Sequence, residues 1–207
     1  MSDGAGLVVS PRWAPVGDPA RQRLYCVGYD PGDTTGWGVL RLDFAKLLEL
    51  GFAGLALRGG PDALAWDCGE FRASENHMAD QMVGLLRGVW MDGEFGEGED
   101  SDVLAVSVED FILQMLSSDR SLLSPVRVTA AFNYARRAVP VPVTRFSASD
   151  AKKVVTDERL RAFNLFPPGS KHERDALRQA VLVARKMVEA PFRARWLGAC
   201  PWLRDAG

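Results

Sequence analysis

The sequence predicts an α/β fold, a mixed central sheet flanked by helices on both faces. Three observations carry this expectation. Leu24 to Asp30 reads as a strand that stops at the turn-formers Pro31-Gly32-Asp33. Val103 to Val108 is an apolar run of the kind a centrally buried strand shows, ending at Glu109. Between them, Met78, Met82, Leu85, Leu86 and Val89 recur on one helical face from Asn76 to Trp90, a stripe that reads as core.

The remaining elements follow in order. Residues 1–21, rich in Gly, Pro, Asp and Ser without a sustained period, read as a flexible leader. Trp37 to Leu42 resumes as a second strand, making a hairpin with the first. Phe44 to Leu50 reads as a short helix, Gly51 to Pro61 as a loop, and Leu64 to Phe71 as a third strand. Residues 92–102 carry six acids and three glycines and read as a solvated loop, since their oxygen spacing does not match an EF-hand. A helix is expected over 121–138, with Val126, Ala130 and Tyr134 on one side. Arg136 and Arg137 fall at its C-terminal end, where positive charge suits the helix dipole. Val139 to Phe146 reads as a strand, and Ser149 as the cap of a helix beginning at Asp150. Ser170 caps a helix from Lys171 to about Glu189, closed by Pro191. The domain division expected is a leader over 1–21, one α/β domain over 22–190 and a tail over 191–207.

Composition bounds the function classes. Hydrophobic residues make up 47% of the 207 and charged residues 25%, values of a globular chain with a real core. No stretch approaches the roughly 20 apolar residues that span a bilayer, so no membrane association is expected. The N-terminus has an acid where a signal peptide carries positive charge. Cys26, Cys68 and Cys200 form neither a zinc pattern nor a disulfide framework, which points to reduced thiols and a cytoplasmic location. The net charge of −2 hides a polarity. Residues 1–110 hold 8 Lys/Arg against 19 Asp/Glu, and residues 111–207 hold 17 against 8. A basic half suits a polyanionic partner, although solvated helix faces would give the same count.

The informative residues are acids where acids are costly. Asp30 and Glu109 each end an apolar strand, and a carboxylate there needs a partner, a cation or water. If the two strands are neighbours, both acids project from one end of the sheet and repel unless an ion neutralises them. His172 and Asp175, three apart at the start of a helix, share one face and can ligate the same metal or divide between two. Phosphodiester hydrolysis needs such a set. Two ions about 3.5–4 Å apart activate water against an anionic substrate and stabilise the leaving oxygen. Hard oxygen ligands favour Mg2+ or Mn2+, two ions per site, and the histidine shifts the balance toward Mn2+. Taken singly, Asp30 reads better as a turn residue, Glu109 as a solvated strand end, His172 as surface and Asp175 as first-turn helix charge. The set together, on strand, strand and helix, favours a metal site. His77 reads as surface.

The stretch Val27-Gly28-Tyr29-Asp30-Pro31-Gly32, with Thr35-Gly36-Trp37-Gly38-Val39 after it, resembles the first motif of the RuvC family of Holliday-junction resolvases. Val106-Ser107-Val108-Glu109 is similar to the second motif, and His172 to Leu177 to the third. The likeness spans roughly residues 24–190, and length and layout are similar to the phage-encoded members. It implies a ribonuclease-H-like fold and a homodimer making paired incisions in four-way DNA junctions with Mg2+ or Mn2+. Asp30, Glu109 and Asp175 carry over as catalytic acids, and His172 stands where many members have another acid. The dimer helix corresponds to 124–137. Phe111 or Ile112 corresponds to the apolar residue that opens the junction, and Lys152 and Lys153 to the basic stretch that meets phosphates. Lys171 and Arg174 are further phosphate contacts on this reading. The long connection between the second and third strands, the acidic loop 92–102 and the segment 191–207 depart from the family pattern. Alternatives on the same residues are a broader branched-DNA or RNase-H-type nuclease and a non-catalytic DNA-binding dimer. An actin-like ATPase would need a second phosphate loop that the sequence lacks.

Overall fold

A computed structural model of the chain describes residues 22–60, 62–72, 75–93, 95, 102–110, 124–135 and 141–199. Among these residues five strands, β1 (Arg23–Asp30), β2 (Thr35–Asp43), β3 (Leu64–Phe71), β4 (Val103–Asp110) and β5 (Val143–Ser147), form one sheet in the order β3-β2-β1-β4-β5. β1 pairs antiparallel with β2 and parallel with β4, so the sheet is mixed, as expected. Among the described residues, seven helices flank it: α1 (Phe44–Arg58), α2 (Glu75–Asp92), α3 (Ser124–Ala135), α4 (Ala148–Val154), α5 (Asp157–Ala162), α6 (Lys171–Val188) and α7 (Ala190–Ala199). No helix among the described residues is long and apolar enough to cross a membrane.

Side chains alternate along the central strands and feed two cores. Leu24, Cys26, Leu40, Val103 and Ala105 face α1, α6 and α7. Tyr25, Val27, Tyr29, Leu104 and Val106 face α2 and α3. Both faces being buried explains why β4 is apolar at successive positions rather than at alternate ones. Each fully buried Leu or Val contributes about 1.5–3 kcal/mol, so this double layer is the main source of stability.

Helix α6 sets the site. It buries Ala176, Leu177, Ala180, Val181, Ala184 and Met187. A Cβ on Gly28, Gly36 or Gly38 would collide with the α6 backbone at Ala176, His172 or Leu177, so these glycines let the helix lie directly on the β1–β2 hairpin. Ser170 caps it as expected: its hydroxyl accepts the His172 and Glu173 N–H groups, and the Glu173 carboxylate accepts the Ser170 N–H at 3.2 Å.

Several boundaries differ from expectation. α1 continues to Arg58 through a kink at Gly51, at φ 66°, where a loop was expected. Phe52 and Leu55 explain the continuation, because both are buried beneath the sheet. The cap of α4 is Ser147, whose Oγ accepts the Asp150 N–H at 3.1 Å, and not Ser149. On α3 the face carrying Val126, Ala130 and Tyr134 is the exposed one, while Val128 and Phe132 turn into the core. Chain beyond Pro191 continues as α7, which buries Trp196 under β4 with its indole N–H 3.4 Å from the Leu104 carbonyl. The leader 1–21, Phe111, Ile112, Arg136, Arg137, most of the acidic loop and residues 200–207 lie outside the described residues.

Candidate active site

Asp30 is the last residue of β1 and Glu109 the next-to-last of β4. The parallel register sets Tyr29 beside Val108, so the two acids stand at the same end of adjacent strands, at the centre of the sheet. α6 then crosses this end with its first turn over the rim. His172 Nδ1 lies 2.8 Å from Asp30 Oδ2. Asp175, one turn further, is almost fully buried. Its Oδ2 pairs with the Lys152 ammonium at 3.0 Å, and its Oδ1 with the Arg178 guanidinium. The four residues named from the sequence therefore share one cleft of about 200 Å³, with Lys152, Lys171 and Pro125 completing its walls.

The four cations named from the sequence divide. Lys152 and Lys171 line the cleft. Lys153 is exposed on α4. Arg174 turns away, donating to the Gly169 carbonyl at 2.9 Å with its guanidinium 5.5 Å from the Phe166 ring. His77 is exposed on α2.

Electrostatics follow from burial and crowding. The Glu109 carboxyl is pushed up to about 7, first by burial and then by the nearby charges of Asp30 and Asp175. Burial also raises Asp30, against the pull of the His172 hydrogen bond. His172 is raised because Asp30 accepts its hydrogen bond, which outweighs its partial burial. Carboxylates crowded together in a half-enclosed cleft form a donor set that suits a hard divalent cation. Among the described residues, no three His, Cys, Asp or Glu side chains already stand together as a ligand cluster. Other side chains occupy the acids: the His172 imidazole on Asp30, and the Lys152 and Arg178 cations on Asp175.

Three residues at the site were missed in the sequence. Glu70 on β3 faces Gly36 of β2, which faces Asp30 of β1, so it lies on the same rim. The Ser170 hydroxyl donates to it and holds its carboxyl below the usual range, tying β3 to the start of α6. Arg178 is buried between Asp175, Asp157 and the Val155 carbonyl, which accepts from its Nε at 2.9 Å. Gln179 is fully buried, donates to the Phe146 carbonyl at 3.3 Å, and supports Glu109. For the last two a signal existed: polar residues on the otherwise apolar inner face of α6.

No protein-family model matches the chain, and no curated protein matches it in sequence. Solved structures do match. One is Thermus thermophilus RuvC in complex with a Holliday junction substrate, with a TM-score of 0.50 at 17% identity, covering 84% of this chain and 96% of that one. Another is a Thermus thermophilus RuvC structure, with a TM-score of 0.50 at 18% identity, covering 83% and 95%. Matched over most of both chains, at identities where only the backbone can be compared, this chain has the RuvC-like form of the ribonuclease-H fold.

Proposed function

We propose that the protein is a divalent-metal-dependent endonuclease that resolves four-way DNA junctions, cutting through the cleft of Asp30, Glu109, His172 and Asp175. The observation that carries this reading is the convergence of these four side chains, drawn from β1, β4 and α6, in one cleft with two lysines. On this reading Asp30, Glu109, Asp175 and His172 hold two Mg2+ or Mn2+ ions, which when bound would activate water and stabilise the leaving oxygen. The chain's own residues orient and screen. Lys152 and Lys171 meet the phosphate backbone, and His172, braced on Asp30, fixes the first turn of α6 against the rim. Phe111 or Ile112 would separate the strands at the branch. A second copy would dock through α3, whose Val126 and Tyr134 are exposed apolar side chains, and place a second cleft on an opposite arm. Residues 22–190 form the nuclease domain on this reading, in the cytoplasm, or the bacterial host's cytoplasm for a phage-encoded chain.

The test is a labelled mobile junction incubated with the protein and Mg2+, beside Asp30→Asn. Symmetric nicking by the parent, with binding but no cutting by the variant, is the expected result. Nicking that survives the substitution would remove Asp30 from the chemistry. The internal pairing of Asp175 with Lys152 and Arg178 favours, as a second reading, a DNA-binding dimer without chemistry. Tight junction binding with no nicking in either Mg2+ or Mn2+ would select it. Equal cutting of an RNA–DNA hybrid would instead indicate a broader nuclease.

A further inference from the structure

Arg178 is a buried arginine one turn beyond Asp175, on the inner face of α6, where an aliphatic side chain would serve packing better. The residue is 7% exposed and all three of its guanidinium nitrogens are engaged. Nε donates to the Val155 carbonyl at 2.9 Å, one terminal nitrogen to Asp175 Oδ1 and the other to Asp157 Oδ1. Val155 and Asp157 flank the junction of α4 and α5, so one side chain clamps that junction to the carboxylate at the cleft. The two Asp175 oxygens are thereby made unequal. Oδ1 faces the clamp, whereas Oδ2 faces the cleft, where it meets Lys152 at 3.0 Å.

We propose that Arg178 is a positioning residue that withholds Oδ1 of Asp175, so that Asp175 takes a divalent cation through Oδ2 alone, in the place the Lys152 ammonium holds. This rests on the metal-site reading above. A buried guanidinium fixed by a planar fork cannot swing away as a lysine can, because its release would leave Oδ1 of the buried Asp175 without its charged donor. Lys152 is half-exposed on a flexible stem and can leave Oδ2 for water. The two cations on Asp175 thus have different roles: Arg178 orients, and Lys152 holds the place of the metal.

Mn2+ binding to the full chain, followed by the electron paramagnetic resonance signal of the free ion, tests this without any cleavage assay. Removing a positive charge beside a metal ligand should by itself tighten binding, so a loss of affinity isolates positioning from electrostatics. Arg178→Met, with its fold checked by circular dichroism, is expected to weaken Mn2+ binding about tenfold. Arg178→Lys, which keeps the charge and loses the fork, is expected to weaken it comparably. Asp157→Asn loosens the outer hold and should weaken it about threefold, but it also removes a negative charge, so the charge-conserving Arg178→Lys decides the matter if Arg178→Met does not fold. Lys152→Gln should tighten it. Unchanged or tighter binding in a folded Arg178→Met, or in Arg178→Lys, would overturn the clamp. A parent chain that binds no Mn2+, or binds it equally well as Asp175→Asn, would instead remove the metal site itself.

Discussion

His172 Nδ1 stands 2.8 Å from Asp30 Oδ2, joining residues 142 apart in sequence across the end of the sheet. The bond fixes the last residue of β1 to the first turn of α6, and its strength depends on pH. The His172 imidazole is raised by its Asp30 partner, so its contribution to stability is full below its unfolded value and fades as pH rises through the folded one. Since the ring is nearly half exposed, the pair is worth about 0.5–1 kcal/mol. Urea denaturation in chelator should show His172→Gln less stable than the parent by that amount at pH 6, and by less than half of it at pH 9. An equal gap at both values would mean the imidazole packs without ion pairing.

Glu109 gives the opposite kind of signal to an ordinary surface carboxylate. Burial and the neighbouring acids push it up to about 7, above the unfolded value near 4.5. The folded state therefore binds more protons than the unfolded chain between those values, and stability falls as pH rises through that window. Asp30, also raised by burial, adds a slope of the same sign. Metal-free protein should gain about 1–2 kcal/mol between pH 7 and pH 5, a figure discounted for the part exposure of Glu109. Glu109→Gln should flatten most of that rise. Thermal unfolding across pH in chelator checks both, and a Glu109→Gln profile parallel to the parent's would refute the assignment.

The glycines under α6 make a separable prediction about placement. Alanine at Gly28 would drive a methyl into the α6 backbone at Ala176 and Ala180, and neither backbone can yield without moving the helix. Overpacking of this kind costs about 1–3 kcal/mol. Gly28→Ala is expected at the upper end, and Gly36→Ala should also displace the His172 turn. Gly198→Ala, in a helix with open space around the added methyl, should be neutral or gain up to about 0.5 kcal/mol. Urea midpoints for the three variants measure this, and a neutral Gly28→Ala would show that α6 is not seated by that contact.

What was legible in the sequence, and what was not, divides along one physical line. The strands that position Asp30 and Glu109 are buried on both faces, so their apolar runs stood out against turn residues. The Ser170 cap and the polar first turn of α6 were equally plain, because capping chemistry is local. Elements whose stability comes from distant partners were harder. α1 runs through Gly51, a residue that breaks helices locally, because Phe52 and Leu55 are held from outside by the sheet. α7 has almost no periodic signal and is anchored by Trp196. Glu70 acts through strand register, which no linear spacing displays, whereas Arg178 and Gln179 showed only as polar breaks in the apolar face of α6, without the partners that give them a role.

The division of the cations bears on DNA binding. Each lysine or arginine that neutralises a phosphate releases counterions, so its loss should reduce the salt slope of binding by about 1. Lys152 and Lys171 line the cleft, whereas Arg174 is spent on the Gly169 carbonyl and the Phe166 ring. Equilibrium binding of a four-way junction over a salt series, in Ca2+ to suppress cutting, should therefore separate them. Lys171→Gln should lower the slope by about 1 and weaken binding at every salt concentration. If the ion takes the place of the ammonium on Asp175 Oδ2 as proposed, Lys152→Gln should do the same with a divalent ion present, and much less in chelator, where that ammonium stays paired. Arg174→Gln should leave the slope near the parent's. If Arg174→Gln and Lys171→Gln lose the same slope, the phosphate path does not follow the cleft, and the backbone must cross the outer face of α6 instead.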